Sequence, residues 1–160
     1  MVRMVDRTRW LDEQEMAAWA PFVVSTMHLH AQLERDLKSA FDVTLLDHGI
    51  LLMLRNSPGG LTMGHLATQF GTEASVITYR VNRLEQRGLA RRERRETNRR
   101  QVLARITPAG RRLCDRMAPV HVASVREHFL AHVPREDLPA LAEAFHSLYD
   151  AQHPGPAREG

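Results

Sequence analysis

Residues 71–110 read GTEASVITYRVNRLEQRGLARRERRETNRRQVLARITPAG, and this stretch decides the fold. Gly71 stops whatever precedes it. Val76, Ile77, Val81 and Leu84 then recur at helical spacing and make one apolar face. The other face presents Ser75, Thr78, Tyr79, Asn82 and Arg83. Gly88 suits the left-handed position that ends a helix cleanly. Beyond it, residues 89–94 and 102–106 pair as antiparallel strands around the polar loop 95–100, which is too charged for a core. A short amphipathic helix followed by a basic hairpin suits duplex DNA. The helix fits the major groove, and the hairpin reaches phosphates or the neighbouring minor groove.

Working upstream, LTMGHLATQFG (61–71) offers Thr62 as N-cap of a short helix to about Gln69, so two short helices joined by a glycine turn make a helix-turn-helix. Thr44 can cap a further helix through about Arg55, which Ser57-Pro58-Gly59-Gly60 breaks. Asp12 and Glu15 have the spacing of a capping box. Behind them Met16, Trp19, Val23, Met27, His30, Leu33 and Leu37 form a long apolar stripe, which Pro21 is expected to kink or split. Downstream, Thr107-Pro108 restarts a helix carrying Leu113, Met117, Val125 and Phe129, bent by Pro119 and ended by Pro134. A last helix from about Arg135 carries Leu138, Leu141, Phe145 and Leu148. The tail QHPGPAREG is disordered by composition. The expected organisation is an N-terminal helical region (10–42), a DNA-binding lobe (43–107), two C-terminal helices (108–151) and the tail (152–160). Long apolar stripes outside a compact core call for a partner.

Hydrophobic residues make up 43% and charged residues 26% of the 160, ordinary values for one soluble domain. The N-terminus lacks the apolar run of a signal peptide and no stretch approaches a membrane span, so a cytoplasmic protein without a membrane partner is expected. The single cysteine, Cys114, fits a reducing compartment. Charge is unevenly distributed. Residues 80–112 hold twelve arginines against three glutamates, a net +9, whereas the remaining ten basic and sixteen acidic residues leave −6 elsewhere. A basic stripe on a mildly acidic body is the footprint of a polyanion-binding protein.

Catalysis finds little support. There is no glycine-rich phosphate loop, and no Ser-His-Asp set in a strand-turn-helix context. His128 and His132 have the i, i+4 spacing of a zinc pair, and His28, His30, His48, His121 and His146 lie in helices that could converge. Without Cys-x-x-Cys, HExxH or a completing carboxylate, these histidines read as packing groups, and neither metal nor cofactor is expected. Arg111 and Arg112 could lower the pKa of Cys114, but a buried, inert thiol is the simpler reading.

Three strings, LTMGHLATQFG, VITYRVNRLEQRGLARR and NRRQVLARITPAG, resemble the MarR family of winged helix-turn-helix transcription regulators over about residues 40–112. The resemblance implies a mainly α fold with a small two- or three-stranded β wing, the winged helix-turn-helix being flanked by N- and C-terminal dimerisation helices. It implies a homodimer, most simply a repressor, reading a pseudo-palindromic double-stranded operator. Recognition helix 73–87 would enter the major groove through Ser75, Thr78, Tyr79, Asn82 and Arg83. Wing 89–106 would bring Arg95, Asn98, Arg99 and Arg100 to the phosphates, with Arg100 in the minor groove. A small-molecule effector held between the dimer helices and the lobe would release the DNA. Two positions depart from the family pattern: Asn98 stands where an aspartate holds the wing arginine, which implies either a looser wing or Glu96 as a substitute anchor, and His65 replaces a glutamate in the helix before the turn. The rival readings are a low-specificity nucleoid-type DNA-coating protein and a small metal-dependent enzyme built on the histidines.

Overall fold

The first turn of a helix leaves backbone N–H groups without partners, and short polar side chains accept from one of them at four of the six α-helices among the described residues. Asp12 opens α1 (Glu13–Phe41): its carboxylate accepts from the Glu15 N–H at 2.8 Å, while the Glu15 carboxylate accepts from the Asp12 N–H at 2.9 Å. Thr44 and Asp47 do the same for α2 (Leu45–Asn56), at 3.1 and 3.4 Å. Thr62 opens α3 (Met63–Phe70) by accepting from the His65 N–H at 3.1 Å, with no return bond from His65. Thr107 opens α5 (Pro108–His128), with Pro108 in the first turn. α4 (Ala74–Gln86) and α6 (Leu138–Gln152) begin without a side-chain cap. The structure, a computed structural model, describes residues 9–95 and 98–153, with the backbone alone for Arg95 and Asn98–Arg100.

Three local expectations are corrected. Pro21 does not split α1, which runs unbroken for 29 residues; proline forfeits a single i to i−4 bond, and so long a helix carries that loss. α5 passes through Pro119 but ends at His128, before Pro134, and gives way to two 3-10 turns, Leu130–His132 and Arg135–Asp137. His128 and His132 therefore do not share a helix. The hairpin is longer than its apolar positions suggested. Strands β2 (Ala90–Arg95) and β3 (Asn98–Ile106) take in most of the expected loop, because cross-strand pairing carries the polar arginines into the ladder. A third strand, β1 (Leu61–Thr62), pairs with β3 opposite Ala104 and Leu103, giving the antiparallel order β1-β3-β2.

The core lies where these elements meet. Leu37 from α1, Ile50, Leu51 and Leu54 from α2, Leu66 from α3, Ile77, Val81 and Leu84 from α4, and Met117 from α5 are all buried. α1 contributes only Leu37 to it and α6 nothing. Their apolar side chains stay open instead: Trp19 is 55% exposed, Met27 69% and Phe145 40%. At the core's edge the rings of His48 and His121 lie 4.6 Å apart. Burial pushes the His48 pKa down to about 4, helped by its neighbour His121, and burial also lowers that of His121.

Wing, recognition helix and α5 join at one crossing. The Leu89 N–H donates to Leu84 O at 2.9 Å, the Thr107 N–H donates to Leu89 O at 3.1 Å, and the Thr107 hydroxyl donates to Gly88 O at 2.6 Å. Gly110 packs directly on this crossing: a Cβ there would lie 2.2 Å from Leu89 O.

Two stability predictions follow from this packing. Gly110→Ala should lower Tm by several degrees although alanine is the better helix former by about 1 kcal/mol, because the clash is with backbone. Gly64→Ala, with nothing within 4 Å of the new carbon, should be neutral or stabilising. Equal Tm changes in a thermal melt would refute the contrast. The second prediction concerns pH. The unfolded chain binds protons near the ordinary histidine pKa of 6.5, whereas folded His48 resists them until about 4. Stability should thus be complete above pH 6.5 and decline as pH falls towards 4. His48→Gln should flatten that decline in melts at pH 7.5, 6 and 5, and an unchanged pH slope would count against the assignment.

Candidate nucleic-acid interface

α3 and α4 are set at an angle by Gly71, which takes a left-handed φ of 59° while the Thr72 N–H donates to Ala67 O at 3.0 Å. Ile77, Val81 and Leu84 turn into the core, and Val76, expected beside them, stays 38% exposed at the rim. Opposite them Ser75, Tyr79 and Arg83 form an exposed row one turn apart. Thr78 and Asn82 are half-buried. The Thr78 hydroxyl is spent within its own helix, donating to Ala74 O at 2.7 Å. Asn82 keeps its Oδ1 buried, with no donor among the described residues.

The arginines of the basic stripe divide into two groups. Several brace the fold. Arg80 lies 3.7 Å from the Asp47 carboxylate, and Arg87 caps the end of α1 by donating to Asp42 O at 2.7 Å and Phe41 O at 3.2 Å. Arg92 binds Glu85 of α4 three times: its backbone N–H and its Nε each donate at 2.8 Å, and its Nη2 stands 2.7 Å from the carboxylate. These contacts hold the Glu85 carboxyl below its usual range, the Arg92 backbone N–H first, against a smaller opposing effect of burial, and then the guanidinium. Glu93 pairs with Arg91 at 2.8 Å and with Arg105 at 2.7 Å, and Arg105 also donates to Pro58 O. Arg83 and Arg94 form no such bond among the described residues, and their charges are open to a ligand.

The two carboxylates were missed by reading the sequence locally. Glu85 and Arg92 are seven residues apart across a glycine turn, a spacing that belongs to neither helix nor strand, so only the folded corner brings them together. The wing tip supplies the other expected contacts. The backbones of Arg95, Asn98, Arg99 and Arg100 lie in the strands, with Arg95 opposite Asn98. Their side chains, and Glu96, lie outside the described residues, so the Asn98 and Arg100 assignments stay expectations.

Between α1, α2, the end of α3 and α5 lies a cavity of about 620 Å³, bounded by Leu45, Leu46, Leu52 and Phe70 with His30, His48 and His121. Among the described residues no lysine, arginine or carboxylate lines it. The His121 Nδ1 is buried there without a partner among the described residues. Away from this cavity, His28 and His146 are exposed, and His128 stands 3.3 Å from Asp36, which also accepts from Ser124. Among the described residues no three His, Cys, Asp or Glu side chains gather as a metal site. Cys114 is buried, and burial raises its thiol pKa despite Arg55 and Arg111 nearby, so it has no activated thiolate.

Comparison with known proteins agrees with this geometry. Residues 41–101 match the model of the MarR family. The chain is 35% identical to AbsC, a MarR family transcriptional regulator from Streptomyces coelicolor, covering 92% of this chain and 100% of that one with a TM-score of 0.83. It is 28% identical to Sco3205 from the same organism, a MarR family regulator whose structure was solved in complex with DNA, covering 96% of each chain with a TM-score of 0.86. It is also 30% identical over 132 residues, 80% of this chain and 77% of the other, to a proposed transcriptional regulatory protein for the hcr operon of Thauera aromatica. With sequence identity and fold agreeing along nearly the whole chain, the protein belongs to the MarR family of transcriptional regulators.

Proposed function

We propose that the chain acts as a homodimeric repressor on a pseudo-palindromic duplex, each subunit placing the row Ser75, Tyr79 and Arg83 against base edges of one major groove. The observation that carries this reading is the Glu85–Arg92 clamp, which ties the basic hairpin to the recognition helix as one rigid piece. The clamp leaves Arg83 and Arg94 free for the DNA. Thr78 and Asn82 serve at the edge of the contact, and Arg95, Asn98, Arg99 and Arg100 extend it along the phosphates, with Arg100 in the minor groove. The open apolar stripes of α1 and α6 supply the dimer. Phe22 of α1 stands 6.5 Å from Phe145 of α6, and the exposed Trp19, Met27 and Leu148 of the same two helices need a second copy to leave water. Domain limits at about 43 and 107 follow the same division between dimer helices and DNA-binding lobe. Such a protein works in the cytoplasm, where its DNA lies; among the described residues no helix is long and apolar enough to cross a membrane.

The effector belongs in the 620 Å³ cavity bounded by leucines, Phe70 and the histidines. It touches both a dimer helix and the lobe, so a ligand there changes their relative setting, and it releases DNA if it binds the released form more tightly. The DNA-coating alternative fits less well, because a clamped reading head has no use where sequence is not read.

The decisive test is selection of bound duplexes from a random library. A palindromic consensus with half-sites one helical turn apart is expected, and its absence would return the coating protein to favour. Two variants test the residue assignments on that operator. Arg100→Ala should weaken binding about tenfold or more with the dimer intact by light scattering; undiminished affinity would remove Arg100 from the minor groove. Glu85→Gln offers a sharper contrast. Removing a negative charge beside DNA should strengthen non-specific binding, yet loss of the clamp should weaken specific binding several-fold. A rise in both affinities would mean that the clamp does not position the wing.

A further inference from the structure

A second groove shares no residue with the effector cavity or with the proposed DNA contacts. Its volume is about 780 Å³. The end of α1, the end of α4, the root of the wing and the start of α5 enclose it. Four cations line it, Lys38, Arg87, Arg112 and Arg116, against one carboxylate, Asp42. Two of the cations have structural work: Arg87 caps α1, and the Arg116 guanidinium lies 5.6 Å from the centre of the Phe41 ring. The side chains of Lys38 and Arg112 have no hydrogen-bond or ion-pair partner among the described residues. Between the cations lies an apolar floor of Phe41, Leu89 and Leu113.

We propose that this groove binds a phosphate-bearing small molecule of nucleotide size, its phosphates held by Lys38 and Arg112 and its planar or apolar part laid on the Phe41–Leu89–Leu113 floor. Three helices remote in sequence bring the four cations together, so the cluster is built by the fold and is not the solvated face of one helix. Gathering like charges is unfavourable unless an anion sits among them. The volume falls within the ~300–1,000 Å³ common for small-ligand sites. Phosphate could also come from the DNA backbone. The apolar floor favours the small molecule, because a strand of phosphates needs no such floor. Arg87 follows the reading row at the same four-residue spacing, but it lies past the end of α4 and its guanidinium is turned to the Asp42 and Phe41 carbonyls. Since α1, α4 and α5 all border the groove, its occupant would bear on the angle of the recognition helix to the dimer helices. This inference goes beyond effector binding in the other cavity and does not depend on operator specificity.

The test is calorimetric titration of the full chain with ATP and with adenosine, beside salt-dependent titration of a DNA duplex, for the parent and for a Lys38→Gln, Arg112→Gln double variant. The variant breaks no described contact, so its Tm should match the parent's. ATP should bind the parent and adenosine should not. ATP affinity should fall at least tenfold in the variant, while the slope of log affinity for DNA against log salt stays the same. ATP binding equally to both proteins, or to neither, would overturn the proposal. So would a salt slope reduced by about 2 with ATP binding unchanged, which would assign the two cations to DNA phosphates. Loss of palindrome selection by the parent with ATP binding retained would sink the operator reading and leave this site standing.

Discussion

The crossing of Gly88–Leu89 with Thr107–Gly110 is the constraint on which the rest of the structure depends. Three segments with different tasks meet there: the end of the recognition helix, the two roots of the wing and the start of α5. They are joined through backbone groups, with the Leu89 carbonyl taking the Thr107 N–H and the Gly88 carbonyl taking the Thr107 hydroxyl. Thr107 also caps α5 through the Gly110 N–H at 3.1 Å, so one hydroxyl group both accepts from the helix and donates to the turn. Only a residue without a side chain fits at 110, because the helix passes directly over the Leu89 carbonyl. Any movement of α5 is thereby passed to the wing and the recognition helix together.

Charge around this crossing is organised in two layers. A carboxylate from α4 and one from β2 pair with three arginines and turn them into braces. Arg80 and Arg87 tie the same helix to α2 and to the end of α1. The hairpin and the recognition helix then present their remaining cations at a fixed relative angle. For a reader of DNA that is worth more than extra charge, since rigid placement decides whether helix and wing can meet adjacent grooves together.

Apolar surface is divided just as unevenly. The lobe buries Leu51, Leu54, Leu66, Val81 and Leu84, while α1 and α6 hold Trp19, Met27, Phe145 and Leu148 open. The link from α6 back to the lobe is thin, an exposed hydrogen bond from the Tyr149 hydroxyl to Gln69 at 2.9 Å. On one side of α1 and α5 lies the histidine-edged cavity, and at their lower ends lies the basic groove. Both therefore sit where the helices that need a partner meet the lobe that needs DNA.

Local order was legible in the sequence because it depends on neighbours in the chain. Asp12 with Glu15, Thr44, Thr62 and Thr107 mark helix starts through contacts of two or three residues, and Gly71 and Gly88 mark stops through the left-handed backbone they alone adopt freely. The apolar spacing over 74–86 likewise marks Ile77, Val81 and Leu84 as the inward face of α4, whereas Val76 lies at the exposed rim and Thr78 and Asn82 are half-buried. Proline was overread, because its cost is local while the length and packing of α1 and α5 decide whether a helix survives it. What the arginines do could not be read in the same way. Arg92, Arg87 and Arg105 look identical to Arg83 along the chain, yet Glu85, the Phe41 and Asp42 carbonyls, and Glu93 with Pro58 claim them from across the fold. Partners seven to forty-seven residues away obey no helical or strand period, so only the tertiary structure decided which cations hold the protein together and which are left for a ligand.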